Sequence, residues 1–321
     1  MHAFQLAAFD GTGQIVDLPQ PKPGPGEVLI KIAACGLNFA DLLMLKGQYQ
    51  ERPALPFTLG MEVSGTIVAH GDGVVTPAIG TRVAVFAGTG GLADYGTFAA
   101  SRCLPLPDDM PFDHAAAFMI AYGTSHLALG HRARLQKGET LLVTGAAGGV
   151  GLTAVEIGAA MGARVIALAR GPEKLEAARA AGAHVLLDSD TTPDLRGALR
   201  DLGGVDVVYD TIGGDTFMAA LRATRPEGRL IPIGFAGGEV PQIPANLLLV
   251  KNLTVIGLYW GGYGTFAPDL LTSSLSELLG LYSKGQLKPH VSHSLPLSRV
   301  SEALELLRSR KSTGKVVVTM G

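Results

Sequence analysis

Cysteine is almost absent. The 321 residues contain two, Cys35 and Cys103, too few and too far apart for a disulfide framework or a CxxC metal knuckle. That scarcity fits a reducing compartment. Charge is sparse too: Asp, Glu, Lys and Arg make up 17% of the chain, with a formal net charge of −2. Such a chain has no basic field for nucleic acid phosphates and no polybasic anchor for anionic lipid. No uninterrupted apolar run reaches the roughly 18 residues that a membrane-crossing helix needs. The opening MHAFQLAAFDG lacks the basic stretch and long apolar core of a secretory leader. These absences predict a soluble cytoplasmic protein. Disorder is excluded by what is abundant, since 47% of residues are hydrophobic and mean hydropathy is +0.30.

Glycine is in excess, with 43 copies where a share of about 7% is usual, and it marks tight turns and close backbone approaches. The length, about twice that of a typical domain, predicts two domains. Residues 1 to 120 read as short strands cut by Gly and Pro. EVLIKIAA (27–34) sets Val28, Ile30, Ile32 and Ala34 on one face, EVSGTIVAH (62–70) and TRVAVFA (81–87) follow as strands, and PKPGPG and HGDG are turns. From 121 to 260 apolar strands alternate with helical segments: ETLLVTG, GVGLTAVEIGAAMG, ARVIALA, PEKLEAARAAG, VDVVYD, TFMAALRATR and GRLIPIG. That rhythm implies βαβ units and a doubly wound parallel sheet covered on both faces. Residues 261–321, with a helical run, the short strand KPHVSH, the helix SRVSEALELLRSR and the strand KVVVTM, are expected to return to the first domain.

LLVTGAAGGVG (141–151) is a strand, a glycine-rich turn and a helix start, the context a dinucleotide site requires. Gly148 and Gly149 let the backbone approach a pyrophosphate, Gly151 lets the helix pack on the strand, and the helix N-terminus offers free N–H groups. Ala146 stands at the first glycine position of GxGxxG, and Val150 opens the helix. Where an NAD-selecting carboxylate would end the next strand, ARGPEK (169–174) has Arg170 and Lys174, which suit the 2′-phosphate of NADPH. Removing Arg170 is expected to cost roughly 1.5 to 3 kcal/mol of NADPH binding, with little change for NADH. TGAAGGVG also fits the TGxxxGxG loop of short-chain dehydrogenases. Those enzymes need a Tyr with a Lys four residues later on one helix, and none of the seven tyrosines has one.

The β-rich first domain and the motifs GLNFAD (36–41), GQY (47–49), LGMEVSG (59–65), GTS (123–125), AAGGVG (146–151), VDVVYDTIGG (205–214) and RKSTGKVVV (310–318) occur in an order and spacing that resemble a known family. It is the zinc-free quinone oxidoreductase, or zeta-crystallin-like, branch of the medium-chain dehydrogenase/reductase superfamily. The resemblance covers essentially the whole chain and implies an α/β fold, with a Rossmann domain (121–260) beside a mostly β, GroES-like catalytic domain (1–120 and 261–321). In zinc alcohol dehydrogenases of this superfamily, GxCxxD and GHE carry catalytic ligands. Here Asn38 and Met61 stand at those positions, and an amide and a thioether are poor zinc ligands. Cys35 is expected to be a buried apolar filler. His290 and His293, the only close histidine pair, would point to opposite faces of a strand. No metal is expected.

Without a Lewis acid, the acceptor must take hydride unaided, as quinones and conjugated enones do, and the enzyme mainly aligns it with the nicotinamide. The resemblance implies Asn38 and Thr124 at the nicotinamide end and Tyr49 on the substrate side, either as a hydrogen-bonding or proton-relaying group or as an aromatic lid. It also implies cofactor contacts for Gly234, Phe235, Tyr259 and Lys315. Two departures are visible. Ser189 stands where relatives often have a tyrosine near the 2′-phosphate, and Thr81 replaces the aspartate of the usual GDRV turn. The implied partner is a small quinone or enone. The alternatives are a 2-alkenal or enoyl-thioester reductase and a non-catalytic NADPH-binding protein. A homodimer is expected, with LTVIGLYW (253–260) as the pairing edge strand.

Overall fold

The alternation in EVLIKIAA becomes the strand Glu27–Gly36 in a computed structural model that describes residues Met1–Gly321. Val28, Ile30 and Ile32 are buried while Lys31 is exposed, but Leu29 and Cys35 on the opposite face are buried as well, so the period of two is only partly kept and most of this central strand is covered on both faces. Two compact units form, Met1–Ile120 with Pro289–Gly321, and Ala121–Lys288.

In the first unit a seven-stranded sheet runs in the order Val291–Pro296, Lys315–Thr319, Glu27–Gly36, Glu62–His70, Arg82–Phe86 and Cys103–Pro105, and Tyr95–Ala99 also pairs with Glu27–Gly36. The closing strand lies antiparallel to Glu27–Gly36, with Val317 opposite Gly36 and Val318 opposite Cys35. This register carries the end of the chain to the residues just after the first long strand. Leu37 N–H donates to Val316 O at 2.9 Å. The helix Val300–Arg308 turns Val300, Ala303 and Leu304 into the same core as Ile30, Val63 and Val85.

The second unit is a six-stranded, all-parallel sheet in the order Val185–Asp188, Arg164–Ala169, Thr140–Thr144, Val205–Asp210, Thr224–Pro232 and Thr254–Val255. Leu141, Leu142, Val143, Val207 and Val208 are fully buried, as continuous apolar strands between helices must be. Chain order reverses at Thr140–Thr144, and the crevice at such a reversal is where doubly wound sheets bind ligands.

Two features differ from the sequence expectation. The return to the first unit falls at Lys288/Pro289, later than 260/261. The helix Pro268–Ser283 stays with the second unit because it buries Leu271, Leu275 and Leu278 there, and its Ser274 hydroxyl lies 2.8 Å from His126 Nδ1. Residues Leu127–Arg132 form π-helical turns, a local widening that periodicity does not announce. No helix is long and apolar enough to cross a membrane.

Candidate functional site

In the first unit the sequence stops the strand Glu27–Gly36 and starts a helix, Phe39–Leu45, with Asn38 in extended conformation at its N-cap. Asn38 N–H donates to Asp41 Oδ2 at 2.7 Å, the reach-back of an acidic third residue to the cap. The Asn38 side chain points elsewhere. Its Nδ2 donates to Glu62 Oε1 at 3.0 Å and to Gly36 O at 3.3 Å, and its Oδ1 accepts from Lys315 Nζ at 2.7 Å. Lys315 Nζ also lies 2.6 Å from Glu62 Oε1, and Glu62 Oε2 accepts from Ile120 N–H at 3.0 Å. Glu62 and Lys315 are 1% and 4% exposed, so this is a buried ion pair, tolerable only because hydrogen bonds occupy both partners.

Beside it, burial pushes the Asp41 carboxyl up to about 7 against the pull of the Asn38 N–H and the Lys315 charge, with Glu62 adding to the rise. Asp41 Oδ1 is buried and has no hydrogen-bond partner. Burial, reinforced by Asp41 and Glu62, also pushes the Cys35 thiol well up, in keeping with an apolar filler. Met61 is buried in the core. His290 meets Thr313 Oγ1 and His293 meets Ser292 Oγ, both at 3.0 Å. No group of three or more His, Cys, Asp or Glu is placed to hold a metal ion. Tyr49 is half-buried against the core of this unit.

In the second unit Thr140–Thr144 leads through Gly145, at φ +60°, to the helix Gly149–Ala160 with Gly148 at its N-cap. A Cβ on Gly151 would lie 2.2 Å from Gly145 O, whereas one on Gly148 would lie 3.3 Å away. The fold itself therefore requires Gly151. Gly148 is exposed and Gly149 and Val150 are partly so, which leaves the helix start open to a ligand. Ala146 differs: it is fully buried and gives its N–H to Leu168 O at 3.0 Å, so it shapes the loop and offers no free donor. The loop is anchored from below, where Thr144 Oγ1 donates to the buried Asp210 Oδ1 at 2.6 Å and Gly213 N–H donates to Asp210 Oδ2 at 2.8 Å. Burial raises the pKa of Asp210.

Arg170 follows the strand Arg164–Ala169 and pairs through Nε with Asp190 Oδ1 at 3.1 Å. Lys174 lies in the first turn of the helix Pro172–Ala180. Thr124 is buried in the helix Met119–His126. Its neighbour Ser125, not singled out from the sequence, has Oγ within hydrogen-bond distance of Val150 O, Thr153 Oγ1 and Tyr209 OH and so ties this helix to the glycine-loop helix. Gly234 and Phe235 follow the strand Thr224–Pro232, with Gly234 N–H toward Asp210 O at 3.4 Å. Phe235 and Tyr259 are exposed. Of the residues expected at the site, the first unit joins Asn38 to Lys315 directly, and the second gathers Gly148, Gly149 and Val150 at one helix start. Glu62 and Asp190 were missed. Glu62 stands in LGMEVSG, and a register reading of Ala169 beside Asp188 could have flagged Asp190.

Residues 24–108 match the family model described as the alcohol dehydrogenase GroES-like domain, and residues 149–275 match that of the zinc-binding dehydrogenases. A quinone oxidoreductase-like protein 2 homolog from Nematostella vectensis is 42% identical over 92% of this chain and 82% of its own. The quinone oxidoreductase of Thermus thermophilus, solved also in complex with NADPH, superposes with a TM-score of 0.87 at 36% identity, covering 99% of this chain and 100% of that one. The Escherichia coli quinone oxidoreductase complexed with NADPH gives 0.92 at 28% identity, with the same coverage. The chain belongs to the quinone oxidoreductase branch of the medium-chain dehydrogenase/reductase superfamily.

Proposed function

We propose that the protein is an NADPH-dependent oxidoreductase that reduces a quinone or a similarly electrophilic acceptor and uses no zinc. The observation that carries this reading is the ammonium of Lys315, 2.7 Å from Asn38 Oδ1 and 2.6 Å from Glu62 Oε1. Where a metal-dependent relative would gather ligands around a cation, this chain supplies a cation of its own. A divalent ion at Asn38 would meet that charge at close range in a poorly screened interior. An amide and a thioether offer it little in return.

The second unit fits a dinucleotide. Peptide N–H groups at Gly148, Gly149 and Val150 would bind the pyrophosphate, with the helix dipole behind them, and Arg170 and Lys174 would take the 2′-phosphate. Ala146 contributes shape alone. NADPH, when bound, supplies the hydride. By family resemblance Asn38 and Thr124 are assigned to its nicotinamide end, Tyr259 to the neighbourhood of the nicotinamide, and Gly234 and Phe235 to cofactor contacts. The Asn38 amide is held in one orientation by Glu62 and Lys315, so Lys315 acts through Asn38. Tyr49 is assigned to the acceptor side, either as a hydrogen-bonding or proton-relaying group for the oxygen being reduced or as an aromatic lid on the acceptor ring. The chain is further proposed to form a homodimer through its sheet edge.

The test is to offer NADPH with a naphthoquinone, a 2-enal and an enoyl-CoA, identify the products, and measure zinc in the protein by mass spectrometry. Quinol formation, unaffected by chelators and with substoichiometric zinc, is expected. Turnover that needs stoichiometric zinc overturns the reading. Reduction confined to the enal or the thioester moves the protein to the 2-alkenal or enoyl reductases. No oxidation of NADPH by any of the three marks a non-catalytic binder.

A further inference from the structure

Arg164–Ala169 and Val185–Asp188 run parallel with Ala169 beside Asp188. The residues that follow each strand therefore leave the same edge of the sheet together, at the place where a doubly wound fold discriminates the adenosine ribose. Ser189 N–H donates to Ala169 O at 2.9 Å, which fixes the two turns against each other. The Asp188 carboxylate is taken up by peptide donors: its Oδ1 accepts from Asp190 N–H at 3.0 Å and from Gly171 N–H at 3.1 Å. These bonds, with a smaller contribution from Arg170, hold its pKa below the usual carboxylate value. The backbone of Asp190 is thereby fixed, and its own Oδ1 lies 3.1 Å from Arg170 Nε. The guanidinium expected to select a 2′-phosphate already has an anionic partner from the chain.

We propose that Asp190 is a specificity-determining residue that competes with the 2′-phosphate of NADPH for Arg170, holding the preference for NADPH over NADH below what Arg170 and Lys174 alone would confer. This rests on the NADPH reading above. A 2′-phosphate that engages Arg170 must either displace Asp190 or share the guanidinium with it as a like charge, beside a second carboxylate at Asp188. The 2′-hydroxyl of NADH carries no charge and meets no such competition. Arg170 and Asp190 are 67% and 57% exposed, so solvent screens the effect and it is modest.

The experiment is fluorescence titration of NADPH and NADH into wild type, Asp190→Asn, Arg170→Ala and the double variant. Asparagine keeps the size of the side chain and the Asp190 peptide bond to Asp188, so folding is undisturbed. Asp190→Asn is expected to tighten NADPH roughly two- to fivefold, the span of an exposed charge pair, and to leave NADH unchanged. The gain shrinks in high salt and largely disappears when Arg170 is already alanine. Unchanged or weaker NADPH binding, equal tightening of NADH, or an undiminished gain without Arg170 overturns the inference. If Arg170→Ala weakens NADPH alone while Asp190→Asn does nothing, only the role of Asp190 falls. If wild type binds neither nucleotide, or Arg170→Ala leaves NADPH untouched, the cofactor reading falls and takes the inference with it.

Discussion

Lys315 is 4% exposed, and Glu62 and Asn38 stand in for the water its ammonium has lost. Replacing it leaves a buried carboxylate uncompensated, so Lys315→Met is expected to lower the unfolding free energy by roughly 3 to 5 kcal/mol. Urea titration measures this, and Lys315→Met combined with Glu62→Gln should recover much of the loss, because both charges then leave together. Asp41 makes the opposite kind of contribution. Its folded pKa, pushed up to about 7 by burial, exceeds the unfolded value of about 3.9, so the folded state holds the proton more tightly. The associated stability is complete below about pH 4 and is lost as pH rises toward about 7. Asp41→Asn removes that slope. Melting temperatures of the two proteins across pH 4 to 8 should diverge in favour of the variant as pH rises, and parallel curves would show that Asp41 does not titrate in this window.

At the scale of elements, the glycine loop separates what the fold needs from what the ligand needs. A methyl on Gly151 would press on the backbone oxygen of Gly145 at 2.2 Å, whereas a methyl on Gly148 meets that oxygen at 3.3 Å on an exposed helix start. Gly151→Ala is expected to cost roughly 1 to 3 kcal/mol of stability through overpacking. Gly148→Ala should melt close to wild type yet weaken NADPH at least about fivefold, because its methyl lies where the pyrophosphate must approach. If both variants bind NADPH as wild type does, this loop is not the phosphate site. The loop was legible because strand, turn and helix are consecutive in sequence, as were the strands around Val28 to Ile32 and the exchange of cysteine for Asn38. The pairing of Lys315 with Glu62 was not. It joins residues 253 positions apart and exists only through the antiparallel register of the last strand with Glu27–Gly36. The placement of 261–288 was hidden for a similar reason: Leu271 and Leu275 give a helix an apolar face, but local periodicity does not say which unit that face covers.

For the whole molecule, neither a net charge of −2 nor the fold supplies strong repulsion between copies, and the parallel sheet ends in an edge strand of two residues, Thr254–Val255. An edge strand is a template for another strand, a liability that proteins usually blunt with charge or cover with a partner; here Arg132 already donates to Gly257 O at 3.1 Å. LTVIGLYW contains no charged residue. Gly257 lies in this segment, and a Cβ built on it meets nothing within 4 Å in the single chain. A lysine there is therefore sterically free in a monomer, and its charge would meet its own symmetry copy across a two-fold interface. Gly257→Lys is expected to shift the sedimentation velocity profile from dimer to monomer at micromolar concentration. A wild type that sediments as a monomer, or a variant that remains a dimer, would show that this edge is not the interface between subunits.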